Sequence, residues 1–341
     1  MQNVSKNNFL FLILILTLLG LFLVNISLGS VTIPIKEVVS GLFTFEMRKE
    51  SWEIILWNFR FPKAITAILA GIGLSISGLL MQTLFRNPLA GPYVLGLSSG
   101  ASLGVAFVIL GAGFLPNILS SLFLSHFGLL LASSLGSFIV LLAVLIVSKK
   151  LKDTMAILIV GLMFGSFTSA IVAVLSYFTT AEQLQKFTFW SMGSISNLSW
   201  NEIVLLSIII FIGIAISFLV IKPLDALLLG EKYAQSIGIN YKRTRFLIII
   251  ATSILAGSIT AFAGPIAFIG LAVPHLAKLL FQTSNHLILF WSTLLLGSIT
   301  LLFCDTIAQV PGYDLTLPIN AVTSLIGAPV VIWLLVKKTG F

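Results

Sequence analysis

The chain has 341 residues, of which 58% are hydrophobic and 9% charged, with a mean hydropathy of +1.13. A soluble domain carries about 25% charged residues, so too few charges are present to cover a water-facing surface, and a soluble globular fold is excluded. The net charge of +8 is scattered through loops, which sets aside a nucleic-acid partner and points to orientation in a bilayer.

A membrane span needs roughly 20 apolar residues. Ten segments qualify: 8–28, 63–85, 94–112, 127–147, 154–178, 202–221, 246–263, 266–282, 287–307 and 319–336. The third and tenth are short. The eighth is interrupted by Pro265 and Pro274 and ends at Lys278. The first follows Met1 to Lys6. Its apolar run, Phe9 to Val24, exceeds the roughly 7–15 residues of a signal-peptide core and shows no clear small-x-small cleavage site, so it reads as a span and not as a removed signal.

Between the first two spans, residues 30–62 form a long loop. Ile35, Val38, Val39 and Leu42 form one set at i, i+3, i+4, i+7, and Trp52, Ile55, Leu56 and Phe59 form another. Each set predicts a short amphipathic helix lying on the membrane or on the protein. Between the sixth and seventh spans, residues 222–245 form a second long loop, with a candidate coupling segment at 223–240. Pro223 can open a helix there and Gly230 can end it. Glu231 to Ile237 can form a second helix, with Gly238 as its left-handed cap. A mere connection would need only a few residues, so this reads as a compact knob.

Placing the N-terminus inside and alternating ten spans puts Lys6, Arg86, Lys149, Lys150, Lys152, Lys222, Lys232, Lys242, Arg243, Arg245, Lys278, Lys337 and Lys338 in the cytoplasm. Fewer basic residues fall outside: Lys36, Arg48, Lys49, Arg60, Lys63 and Lys186. The acids Glu37, Glu46, Glu50, Glu53, Glu182 and Asp314 lie outside with them. The bias predicts an all-α polytopic protein of the cell (inner) membrane, one transmembrane domain over 1–341, with both termini cytoplasmic. Ile68-Leu-Ala-Gly71 with Gly78 recurs as Ile254-Leu-Ala-Gly257 with Gly264. This five-position match falls in the second and seventh spans, where an inverted repeat of five spans would place it.

Gly96, Gly100 and Gly104 share one face of the third span, and Gly161, Gly165 and Ser169 one face of the fifth. Small residues let helix backbones approach closely, so helix packing is the first reading. Ser98, Ser99, Ser102, Ser166 and Thr168 could instead line a path that neither grips nor repels a bulky ligand, or bond their own helix backbones.

Few residues could carry chemistry. Cys304 is the single cysteine, and His126, His275 and His286 lie far apart, so no metal site is expected. Asp305 and Glu202 sit near the outer ends of their spans, and His275 and Lys278 near the inner end of theirs. An ion- or proton-coupled carrier, the alternative function, would need such groups near the midplane. No glycine is followed by lysine, which removes a Walker A loop, and no hydrolase motif is present. The expectation is a transport subunit that is not an enzyme, binds no cofactor and is driven from outside.

Several motifs resemble those of the iron-siderophore, haem and cobalamin permease family of ABC importers. They are Phe59-Arg-Phe-Pro-Lys63 with Ala70-Gly71 and Ser77-Gly78, Arg86-Asn-Pro-Leu-Ala-Gly-Pro92, and Leu95-Gly-Leu-Ser-Ser-Gly-Ala101. Further along come Trp190-Ser-Met-Gly-Ser194, Leu229-Gly-Glu231 with Ala234 and Ser236-Ile-Gly-Ile239, Gly264-Pro-Ile-Ala-Phe-Ile-Gly-Leu271 with Pro274-His275, Leu317-Pro318 and Gly327-Ala-Pro329. The resemblance spans nearly the whole chain, in family order.

It implies a ten-span type II importer subunit that pairs with a second copy or a paralogue. It also implies ABC ATPase subunits on the cytoplasmic side and a periplasmic or lipid-anchored substrate-binding protein outside. By the same resemblance, Leu229, Gly230, Glu231, Ala234, Ser236, Gly238 and Ile239 would dock into the ATPase, and Arg60 and Lys63 would meet acids of the binding protein. Two positions depart from the family pattern. Lys63 replaces an arginine and loses bidentate bonding, and Gln309 stands where an arginine often follows Asp305. Iron chelates rank first as cargo, before haem and cobalamin.

Overall fold

The computed structural model describes residues 2–43, 47–112, 123–151, 154–310, 312 and 315–338. The topology expectations for Glu46, Lys152 and Asp314 lie outside these residues, as do the side chains of Lys149, Lys337 and Lys338.

The described residues are helical, without strands. In chain order the helices are α1 (Gln2–Ser27), α2 (Ile35–Phe43), α3 (Glu50–Ile55), α4 (Phe61–Leu84), α5 (Leu97–Ile109), α6 (His126–Lys150), α7 (Thr154–Tyr177), α8 (Ala181–Ser191), α9 (Trp200–Leu219), α10 (Ile221–Leu229), α11 (Glu231–Ser236), α12 (Tyr241–Ala263), α13 (Ile269–Phe281), α14 (His286–Ala308) and α15 (Ile319–Lys338). Among the described residues, seven helical stretches are long and apolar enough to cross a membrane. Three shorter apolar helices, in α5, α13 and α15, fall on the segments that read as short or interrupted.

Two boundaries differ from the sequence reading. The second amphipathic set, Trp52 to Phe59, is no separate surface helix: α3 runs through a π turn, Leu56–Arg60, straight into α4, giving one helical stretch from Glu50 to Leu84. The π turn inserts an extra residue into the helical repeat, and Leu56 and Arg60 both end up buried. The third span is shorter than 94–112. Pro92–Leu95 forms a 3-10 turn, and Gly96, at φ +75°, starts α5 only at Leu97.

The apolar pattern alone missed α8, whose sequence is mostly polar. Its start is nevertheless legible, because Thr180 and Gln183 form a capping box in which each side chain serves the other's backbone N–H. On its exposed face Lys186 bonds Glu182 at 2.7 Å and holds that carboxyl below its ordinary range.

The chain divides into two compact units. The first holds residues 1–76, 194–208 and 267–341, and the second 77–193 and 209–266. In the first, Gly71 of α4 lies against the backbone of Gly297 on α14, where a Cβ would run into the carbonyl oxygen of Gly297. Ser75 closes the same contact by donating to Gly71 O at 2.7 Å and to Thr293 O at 3.1 Å.

In the second unit, α5 and α6 meet through glycines. A Cβ on Gly100 would stand 2.6 Å from Gly136 O, and one on Gly136 would strike Gly100 O. The motif glycines Gly193 (φ +72°) and Gly264 (φ +73°) also touch, with a Cβ on Gly264 placed 2.9 Å from Gly193 Cα and from Trp190 O. Positive φ and backbone contact together demand glycine at Gly264.

Candidate functional site

Two polar clusters stand out, one in each unit. In the first unit, Asp305 is 1% exposed on α14 and gathers three donors. Lys63 Nζ approaches Oδ1 at 2.9 Å. Asn25 Nδ2 and Gln309 Nε2 donate to Oδ2 at 2.9 and 3.0 Å. Asn25 also donates to Thr306 Oγ1 at 3.0 Å. The Lys63 side chain is only 13% exposed. A buried carboxylate is tolerable when paired and hydrogen-bonded on both oxygens, and this one joins α1, α4 and α14.

Arg60, three residues earlier, is also turned inward, with 8% of its surface exposed. Its guanidinium donates to Ile26 O at 3.0 Å and Ser27 O at 2.8 Å, and to Val31 O. These carbonyls lie at and just beyond the C-terminal end of α1, where unsatisfied carbonyls favour a cation. Gly29, at φ +147°, makes room for it: a Cβ there would lie 2.7 Å from Arg60 Nη2.

The sequence reading offers Arg60 and Lys63 as exposed charges for a partner. Here both are engaged inside the first unit. The departures at Lys63 and Gln309 have a structural counterpart, because lysine occupies one carboxylate oxygen of Asp305 and glutamine shares the other.

The second cluster is open. α10 buries Ile221, Leu224, Ala226 and Leu227, and it ends at Gly230 with φ +123°. α11 follows, anchored by Ala234, which is fully buried. Gly238, at φ +87°, ends α11: its N–H donates to Gln235 O at 3.0 Å, and Ile239 N–H donates to Ala234 O at 3.0 Å. This is the cap expected from the sequence. Ser236 bonds back to Tyr233 O at 2.8 Å. Large apolar side chains nevertheless remain exposed: Leu229 at 67%, Ile237 at 54% and Tyr233 at 48%. They sit among Lys222, Asp225, Glu231 and Lys232, so the segment is charged yet carries an apolar patch.

Sequence reasoning did not connect Arg86 to this knob. Its Nε and Nη2 donate to Leu227 O at 3.1 and 2.7 Å, and it shares an open groove of about 840 Å³ with Leu229, Gly230, Glu231, Lys232, Tyr233 and Gln235. A Cβ on Gly230 would stand 3.3 Å from Arg86 Nη2.

The small residues of the third and fifth spans meet one another. A Cβ on Gly96 would be 3.0 Å from Gly161 O, one on Gly161 would strike Val94 O, and one on Gly165 would sit 3.4 Å from Ser99 Oγ. Ser166 donates to Leu162 O, and Thr168 to Phe164 O and Gly165 O, within their own helix. Ser98, Ser99 and Ser102 are half-buried. Close backbone approach accounts for these glycines.

Residues 14–337 match the FecCD transport family. The chain belongs to that family. With its many long apolar helices, it is a multi-pass permease of the inner membrane, of the ABC importer class. Among curated proteins it is 36% identical over 291 residues to the vitamin B12 import system permease proteins BtuC of Salmonella typhi and Salmonella newport, covering 84% of this chain and 85% of each relative. Among solved structures, it is similar to a chain described as an inward-facing conformation of a metal-chelate type ABC transporter, with TM-score 0.83 and 27% identity over 96% of this chain and 99% of that one. PsaBC from Streptococcus pneumoniae in complex with Fab shares the fold at TM-score 0.55 and 15% identity, covering 88% of this chain and 95% of that one.

Proposed function

We propose that this permease carries an iron chelate such as a siderophore, or a related large ligand, handed over by a substrate-binding protein and driven by separate ABC ATPase subunits. The observation that carries the reading is the knob at Leu229–Ile239. A short charged element with exposed Leu229, Tyr233 and Ile237 has the composition of a docking patch, an apolar centre with a polar rim. The metal-chelate transporter supports the chelate, and the vitamin B12 permeases support cobalamin as the nearest alternative. A carrier coupled to ions or protons finds less support: the buried carboxylate, Asp305, is already bonded on both oxygens.

The inverted repeat belongs to the same proposal. Gly71 lies against α14 and Gly257 lies 3.9 Å from Ser137 on α6, measured from a Cβ on Gly257. With five spans per repeat, the second and seventh spans correspond, as do the fourth and ninth, so the repeat places these two contacts at equivalent positions. Both termini are then cytoplasmic, and a second copy or paralogue completes the path.

Reconstitution in liposomes with the ATPase and binding protein tests the function. Uptake of a radio-iron ferric siderophore is expected only with MgATP inside and binding protein outside. Uptake of cobalamin alone would reassign the cargo, and uptake without ATP would overturn the ABC reading. Gly238→Trp, with no atom within 4 Å of its Cβ, is expected to abolish uptake while Gly238→Ala retains most of it. Full transport by Gly238→Trp would remove the knob from the mechanism.

A further inference from the structure

Arg86 occupies a backbone position that suits another residue. It follows α4 at φ +48°. Its N–H donates to Thr83 O at 3.3 Å and the next N–H, of Asn87, to Gln82 O at 3.2 Å. These bonds make a left-handed helix C-cap, where glycine is the usual residue because a Cβ is strained there. Strain held at one residue is informative when its side chain does something glycine cannot. The Arg86 guanidinium does: through Nε and Nη2 it grips Leu227 O, near the C-terminal end of α10 and 141 residues away in the chain.

That carbonyl sits at the joint of the knob. Leu227 O also accepts from the N–H of Gly230 at 3.2 Å, so the hinge between α10 and α11 and the guanidinium share one acceptor. A positive charge is favourable at a helix C-terminus, and two N–H donors on one oxygen fix direction better than a single ammonium would. Gly230 leaves the space: a Cβ there would lie 3.3 Å from Nη2. Three features thus converge on one contact: a strained arginine, a glycine at φ +123°, and a helix end.

We propose that Arg86 is a positioning residue for the coupling segment. It acts as a strut that ties the joint of α10 and α11, with exposed Leu229 on α10 and Tyr233 on α11, to the end of α4, so that movement of the knob is carried into α4. This rests on the reading of Leu229–Ile239 as the ATPase-coupling segment.

Arg86→Gly separates the strut from the fold, because it relieves the backbone while removing the grip. For distances, the full complex carries nitroxides at Leu89→Cys and Gln235→Cys, the latter exposed on α11 outside the apolar patch, in a Cys304→Ser background; uptake is measured on the unlabelled chain, and MgATP is the probe. With Arg86 present, one narrow spin–spin distance is expected before and after MgATP is trapped with vanadate. With Arg86→Gly, the distribution is expected to broaden, and uptake per ATP to fall about tenfold, the scale of losing a charged hydrogen-bond pair. The thermal midpoint of the purified permease is expected to stay at or above that of the parent. Arg86→Lys is expected to fall between the two.

A distribution in Arg86→Gly as narrow as the parent's, with unchanged uptake per ATP, would overturn the strut. Gly238→Trp is run alongside. If it transports normally, the coupling reading fails, while the distance measurement still decides whether Arg86 holds the knob.

Discussion

The two polar clusters treat their charges in opposite ways. In the first unit, Arg60, Lys63 and Asp305 are nearly sealed from solvent, and they bond to carbonyls, a carboxylate and side-chain amides of the same unit. In the second, the knob leaves Glu231 half-exposed and Lys232 exposed, and sets three large apolar side chains beside them in the open. Burial makes a charge depend on its partner. Exposure makes it nearly neutral for stability and available for recognition. The first cluster is therefore expected to respond to substitution through folding, and the second through assembly and transport.

The largest effect belongs to Asp305. Asp305→Ala leaves the Lys63 ammonium buried without a counter-charge, strips Gln309 Nε2 of its acceptor and leaves Asn25 Nδ2 only Thr306 Oγ1. Breaking one side of a buried pair costs about 3–5 kcal/mol, so a marked loss of thermal stability in detergent is expected. Replacing both partners, as Lys63→Met with Asp305→Leu, is expected to recover most of it. If Asp305→Ala instead unfolds like the parent and selectively loses affinity for the binding protein, the first cluster is a docking site and the comparison collapses.

A smaller effect is expected at Gly29, where a side chain would be strained in two ways. Its φ of +147° disfavours a side chain, and a Cβ would press on Arg60 Nη2 at 2.7 Å. Gly29→Ala is expected to cost about 1–3 kcal/mol, read as a lowered unfolding midpoint. An Arg60→Met background is expected to shrink that cost, since the clashing atoms are gone. Equal costs in both backgrounds would mean that Gly29 does not serve Arg60.

Local signals made much of this visible in the sequence. Of the ten apolar stretches, seven fall on helices long and apolar enough to cross a membrane, and the three weakest fall on the three shorter apolar helices. Pro223, Gly230 and Gly238 outlined the knob because proline and glycine act through their own backbone. What was hidden depends on pairs far apart in the chain. Asn25 and Asp305 are 280 residues apart and Arg86 and Leu227 are 141 apart, and no periodicity encodes such a meeting. The π turn was hidden too, since one inserted residue leaves the apolar count of Trp52, Ile55, Leu56 and Phe59 intact while joining them to α4. Arg60 and Lys63 read as exposed charges for a binding protein through the family resemblance; only the carbonyls of Ile26, Ser27 and Val31 and the carboxylate of Asp305 show where they go.

The smallest effect on stability is expected at Leu229, and it tests the open half of the comparison. Its side chain is 67% exposed, so Leu229→Ser removes little buried area, and a surface change of this kind stays within about 0.5 kcal/mol. Its unfolding midpoint should match the parent's. At an interface, by contrast, truncating a central apolar anchor costs about 1–2 kcal/mol of binding, which is roughly a tenfold loss of affinity for the ATPase. Glu231→Gln, on the polar rim, should change affinity less and mostly through its dependence on salt. Leu229→Ser that binds the ATPase as tightly as the parent would leave the exposed apolar patch without a partner, and the contrast between a sealed cluster and a docking one would lose its second half.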